Sequence, residues 1–116
     1  MGVIEQRQHP RIKPPKSVVV AWQSGVQRDV SYVDSLGLGG LFLRTKKKVA
    51  IRSLMKLLLD MPLGQVRGRG VVRWHQEHHG IAVQFIGMDP EDRSRLVRQL
   101  RELMTVTSLN SPPSSA

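Results

Sequence analysis

The apolar residues of this chain recur at two spacings, and each spacing predicts a different secondary structure. Between residues 17 and 86, short apolar runs rich in Val, Ile and Leu alternate with turn residues, as they do in successive β-strands. After residue 89 the apolar residues recur at helical spacing. The pattern predicts one helix at 89–104 and six strands at 17–22, 26–33, 41–45, 51–60, 65–75 and 81–86.

The beginning of the predicted helix carries a strong local signal. Asp89 suits the N-cap position, Pro90 suits the first helical position, and Glu91 and Asp92 place acids in the first turn. The apolar stripe that follows, from Leu96 onward, needs a surface to cover. A few short strands with one terminal helix indicate a mainly β fold, a small antiparallel barrel with the helix packed across an opening. The pattern supports the number of strands better than their topology.

The two ends of the chain differ from the segment between them. Residues 1–16 carry three prolines and little periodicity, which predicts a flexible, extended arm. Residues 105–116 are rich in Ser and Pro, which is typical of a disordered tail. We therefore expect three parts: the arm at 1–16, a single folded domain at 17–104 and the tail at 105–116.

Composition narrows the class of protein. The chain of 116 residues has no cysteine and no apolar run as long as the ~18 residues of a membrane span. These features are compatible with a cytoplasmic location. A net charge of +9 attracts polyanions, which include nucleic acid, acidic lipid, nucleotides and acidic proteins, and charge alone does not choose among them.

Catalytic chemistry is hard to assemble from these residues. No serine stands in a nucleophile-elbow context, and the acids are scattered or belong to the helix start. His75, His78 and His79 flank a predicted hairpin loop in which Glu77 is the one nearby acid, and solvated histidines explain them better than a metal site. We expect no catalytic residue, no metal ligand and no cofactor, hence a protein that is not an enzyme.

Binding chemistry is better supported, and it begins at a glycine-rich stretch. Three glycines in four residues, Gly37, Gly39 and Gly40, follow Asp34 and Ser35 and precede an apolar run. Glycine reaches positive φ without steric cost, and short polar side chains bond their own backbone, so the stretch predicts a tight turn. Backbone N–H groups of such a turn can bind an anion, although an ordinary β-turn explains the same residues.

Two arginines in the arm form the second candidate. Arg7 and Arg11 stand four positions apart around Pro10, so on an extended segment they point the same way. The guanidinium fork pairs with phosphate oxygens and with the edge of guanine. Taken alone, the two arginines also fit a solvated basic terminus.

In their order along the chain, these motifs resemble the PilZ domain family of bacterial cyclic di-GMP receptors. Arg7-Gln8-His9-Pro10-Arg11 matches the Arg-x-x-x-Arg motif, and 39–43, 71–74, 80–85 and 89–104 are similar to the segments that follow it. The resemblance spans residues 7–104 and implies a closed six-stranded antiparallel β-barrel with a C-terminal α-helix. It implies a receptor whose ligand is held by Arg7, Arg11 and the turn at 34–40, through Asp34, Ser35, Gly37, Gly39 and Gly40.

The second motif departs from the family pattern, (Asp or Asn)-x-Ser-x-x-Gly. An alignment on Gly40 puts Ser35 at the acidic position and Gly37 at the serine, whereas an alignment on Asp34 puts Leu36 at the serine. Two alternatives therefore stay open. One is a PilZ-like adaptor that binds a downstream protein without nucleotide, and the other is a basic barrel that binds nucleic acid, which the low aromatic content of 4% disfavours.

The two tryptophans complete the candidate set. Bases stack on exposed aromatic rings, and in some PilZ domains an aromatic residue near the position of Trp74 contacts guanine. Packing in the core is the competing interpretation, and it suits Trp22 better than Trp74. We expect Trp74 to belong to the ligand site.

Overall fold

Residues 11–110 fold into seven strands and one helix. A computed structural model describes the backbone of residues 11–110 and the side chains of residues 11–104. The elements are β1 Arg11–Ile12, β2 Val19–Ser24, β3 Gln27–Gly37, β4 Gly40–Arg44, β5 Leu54–Met61, β6 Gly64–Gln76, β7 Gly80–Gly87 and α1 Pro90–Asn110.

Strands β2 to β7 form a closed antiparallel barrel. Going around the ring, β3 pairs with β2, then come β5, β6, β7 and β4, and the pairing of β4 with β3 closes the ring. The short strand β1 pairs with the last two residues of β3, on the same edge as β2 but beyond the point where the pairing with β2 ends. The six-stranded antiparallel barrel with a C-terminal helix is therefore confirmed.

The core lies inside this barrel because apolar residues alternate along the strands. On β5 the side chains of Met55, Leu57, Leu59 and Met61 are buried while their neighbours face outward. This alternation confirms that 51–60 contains a strand, although its leucines would also suit a helix. Trp22 is buried as expected, and its indole Nε1 donates a hydrogen bond to the Ser31 hydroxyl at 3.0 Å.

Helix α1 covers the barrel with Leu96 and Leu100, both buried. Its buried Gln99 side chain holds the turn between β5 and β6: the amide oxygen accepts from the Leu63 N–H at 2.9 Å, and the amide nitrogen donates to the Gly64 carbonyl at 2.8 Å. These two bonds fix the helix to the hairpin. Within residues 11–110, no helix combines the length and the apolar character that a bilayer crossing requires.

Several element boundaries differ from the sequence-based expectation. Residues 34–37 continue strand β3, which bulges at Asp34, so the turn shrinks to Leu38 and Gly39. Arg11 and Ile12 of the expected arm pair with β3. The helix continues through Asn110, past Met104, where the tail was expected to begin.

Candidate functional site

Strand β1 brings the second arginine of the arm to the glycine-rich stretch. Arg11 pairs with Gly37 and Ile12 pairs with Leu36, so the end of the arm lies along the end of β3. The half-buried guanidinium of Arg11 donates a hydrogen bond from Nη1 to the Ser35 hydroxyl at 3.2 Å. The fold thus joins two motifs that lie far apart along the chain, whereas Arg7 is outside the described residues.

A row of side chains continues from Ser35 across three more strands. Ser35 stands opposite Phe42 of β4, Phe42 opposite Ala82 of β7, and Ala82 opposite Trp74 of β6. Directly opposed residues of a sheet present their side chains on the same face. The Phe42 and Trp74 rings meet over the small Ala82, with centroids 5.5 Å apart and planes tilted by 47°.

This row combines a cation and a hydroxyl at one end with two aromatic rings at the other. Trp74 is 51% exposed. Glycine at position 80 allows the Phe42 ring to lie close, because a Cβ at Gly80 would stand 2.7 Å from the Phe42 Cε1 atom. We call the surface formed by Arg11, Ser35, Phe42, Ala82 and Trp74 the aromatic row.

Asp34 has a partner of its own. It stands at the β-bulge between Val33 and Ser35, and its carboxylate accepts a hydrogen bond from the guanidinium of Arg44 on β4. Both side chains are largely at the surface. Asp34 therefore pairs with a neighbouring strand, and it reaches a ligand only if that pair opens or is shared.

Of the two properties that glycine offers, freedom of φ and close approach of the backbone, the structure uses the second in this stretch. Among the described residues, glycines with left-handed φ are found at Gly25 and Gly64, and Gly37, Gly39 and Gly40 are not among them. Gly40 is required by packing, since a Cβ there would stand 2.2 Å from the Val83 carbonyl oxygen.

The other two glycines lie at the end of β3 and in the turn. Gly37 ends β3 opposite Arg11, and the carbonyl of the turn residue Gly39 accepts the Phe85 N–H at 2.9 Å. Of the three glycines, Gly40 is the one that lets β4 approach β7 closely.

The sequence reasoning missed Phe42 and Ala82 as members of the site. The available signal was alternation on β4, where Leu41 and Leu43 are buried and Phe42 between them faces the other side of the sheet. His75, His78 and His79 are exposed, and in the described part of the chain no cluster of His, Cys, Asp or Glu is placed to hold a metal ion.

Comparison with known proteins identifies the family. The family model described as the PilZ domain matches residues 5–102, nearly the whole chain. The chain belongs to the PilZ domain family. No curated protein matches this PilZ domain at a significant level.

Solved structures show the same fold at low sequence identity. The complex of K. pneumonia MrkH with c-di-GMP is similar with a TM-score of 0.77 and 17% identity, over 94% of this chain and 56% of that one. YcgR from Escherichia coli in complex with c-di-GMP is similar with a TM-score of 0.75 and 12% identity, over 90% of this chain and 49% of that one. This PilZ domain therefore spans about half the length of these two proteins.

A third solved structure consists of little more than the shared domain. The PilZ domain of YcgR with c-di-GMP gives a TM-score of 0.70 at 15% identity, and it is matched over 95% of its length. At these identities the likeness shows the fold.

Proposed function

We propose that this domain is a cyclic di-GMP receptor in bacterial second-messenger signalling. The observation that carries the proposal is the aromatic row, in which the Arg11 guanidinium donates to Ser35 at one end and the half-exposed ring of Trp74 lies at the other. Cyclic di-GMP offers two phosphates and two guanines, and an arginine fork next to a stacking surface is complementary to both. The similar structures of MrkH and YcgR are complexes with c-di-GMP, which supports the proposal.

Each site residue has a role that follows from its chemistry. The forks of Arg7 and Arg11 bind phosphate oxygens or a guanine edge, and the ring of Trp74, backed by Phe42, stacks on a guanine. A hydroxyl and a carboxylate bond polar edges of the ligand, while glycines let it approach the backbone. The hydroxyl is that of Ser35, the carboxylate is that of Asp34, and the glycines are Gly37, Gly39 and Gly40.

The receptor acts by changing its surface and not by catalysis. Because β1 fixes Arg11 to β3, the rearrangement on binding falls on the segment that carries Arg7, which closes over the ligand. Such ordering of a segment alters the surface that a downstream protein meets. We place this action in the cytoplasm, where a chain without cysteine suits reducing conditions.

Isothermal titration of the purified chain with cyclic di-GMP tests the proposal, with GTP and cyclic AMP as controls. Saturable heat with cyclic di-GMP and none with the two controls is the expected result. Equal heats with all three nucleotides would instead indicate a non-specific response of a basic protein. No heat with cyclic di-GMP overturns the receptor function.

A PilZ-like adaptor that binds protein without nucleotide is the second candidate. It is favoured by Leu36, which is fully buried and stands at the serine position when the family pattern is aligned on Asp34. Asp34 itself is bound by Arg44. Absence of nucleotide binding, together with a partner recovered by pull-down, would select the adaptor.

A further inference from the structure

A second concave surface lies on the barrel, away from the aromatic row. A groove of about 530 Å³ crosses the outer face of β2, β5 and β6 and ends at the start of α1. It shares no lining residue with the aromatic row. We call it the transverse groove, and the proposed nucleotide site does not account for it.

Cations line the middle of the transverse groove. Lys56 of β5 stands directly opposite Arg69 of β6, and Arg67 lies on the same face of β6, opposite Leu58. Like charges on directly opposed positions of a sheet are unfavourable. Gly87 leaves room for one of these cations, because a Cβ there would stand 2.8 Å from Nη2 of Arg69.

Two acids, Asp89 and Asp92, line the groove, and neither forms an ion pair with these cations. Asp92 accepts hydrogen bonds from the backbone N–H of Arg67 at 2.9 Å and from the Arg95 side chain at 3.4 Å, so its charge fixes the helix to the barrel. Among the residues that the structure describes, no carboxylate forms an ion pair with Lys56, Arg67 or Arg69.

One wall of the groove is apolar. Leu58 and Ala21 line the groove and are opposed across β5 and β2. Beyond the groove the same row continues to Val30 on β3, which is 62% exposed. An exposed apolar strip bordered by arginine and lysine has the composition of a protein–protein contact, with an apolar centre and a charged rim. A flat bilayer surface does not enter a groove, and a phosphate backbone leaves the apolar strip uncovered.

We propose that the transverse groove binds an acidic segment of a partner protein, with carboxylates on Lys56, Arg67 and Arg69 and an apolar side chain on the row of Leu58, Ala21 and Val30. Complementary charge favours encounter and fixes the orientation of such a segment. This docking does not require cyclic di-GMP, so it stands independently of the nucleotide site.

The test is an NMR titration of the ¹⁵N-labelled full chain with a peptide of about ten residues in which Glu alternates with Leu. The amide signals around the three cations should shift in a saturable way. The variant K56E/R69E should lose about tenfold or more in affinity, since like charges then face each other.

The matched control is K46E/K47E, which makes the same change in charge on two exposed lysines after β4. It should stay within about twofold of the native affinity if the groove is specific. An equal loss of affinity in both variants would show that the peptide responds to net charge alone, and it would overturn the proposal. Circular dichroism checks the fold, and K56Q/R69Q replaces the charge-reversal variant if that one unfolds.

Two further probes separate the competing occupants. A single-stranded oligonucleotide or acidic phospholipid vesicles that shift the groove signals more strongly than the peptide would overturn the assignment to a protein partner. Titration of K56E/R69E with cyclic di-GMP should give the native affinity. This second titration distinguishes a failure of the groove proposal from a failure of the proposed nucleotide site.

Discussion

The ring of Trp74 on β6 lies 5.5 Å from the ring of Phe42 on β4, although strand β7 runs between their strands. The small side chain of Ala82 makes this contact possible, since it stands opposite both residues. The pair ends a row that begins at Arg11 and Ser35. The cation and the aromatic pair therefore lie at the two ends of one row, and a substitution can remove either of them without the other.

Replacement of Trp74 by alanine should weaken cyclic di-GMP binding by about 1–3 kcal/mol, the contribution of one stacked base. The measurement is isothermal titration of the native and variant chains. Tyr32→Ala is the matched control, because Tyr32 is also an exposed aromatic strand residue, at 53%. Equal losses in the two variants would show that Trp74 holds no base.

Removal of the arginines should cost most of the affinity. For Arg11→Ala we expect a loss of about 1.5–3 kcal/mol, the contribution of a hydrogen bond to a charged group, and Arg7→Ala should behave similarly. Arg11→Lys should recover only part of the loss, because an ammonium lacks the planar fork. Calorimetry gives the affinity, and circular dichroism should show a retained fold.

The control for the arginines is Arg98→Ala, which removes an exposed arginine from helix α1. It should leave the affinity unchanged. Native affinity in both Arg7→Ala and Arg11→Ala would remove the basis of the assigned site.

Gln99→Leu should destabilise the fold by about 2–4 kcal/mol, since it leaves the Leu63 N–H and the Gly64 carbonyl without their partner. The free energy of unfolding in urea measures the loss. Glu102→Leu, on the exposed side of the same helix, should change it little. Similar values for both variants would mean that the two bonds to Gln99 contribute nothing.

Gly40→Ala separates the packing role of the glycine stretch from a conformational role. A methyl group at Gly40 meets the Val83 carbonyl oxygen, so β4 must move from β7, and a loss of stability of more than about 2 kcal/mol is expected. Gly25→Ala is the comparison, because Gly25 has φ of +60° and open space around it. It should cost about 1 kcal/mol, measured by thermal unfolding. A smaller loss at Gly40 than at Gly25 would contradict the packing role.

Much of the fold could be predicted because it depends on local patterns. Alternation of buried and exposed residues places the strands, and Asp89 and Pro90 mark the start of the helix. The boundaries were less accurate at the glycine stretch. Residues 34–37 continue β3 because Leu36 is buried and pairs with Ile12, a long-range contact that no local pattern contains.

The sequence by itself determined the strands, the helix start, the family and the chemical type of the candidate site, since these depend on residue order and local periodicity. Only the tertiary structure decided that Arg11 reaches Ser35, that Phe42 backs Trp74, and that Asp34 pairs with Arg44. The physical reason is strand register. The pairing of distant strands sets which outward side chains become neighbours, and register is a property of the closed barrel as a whole.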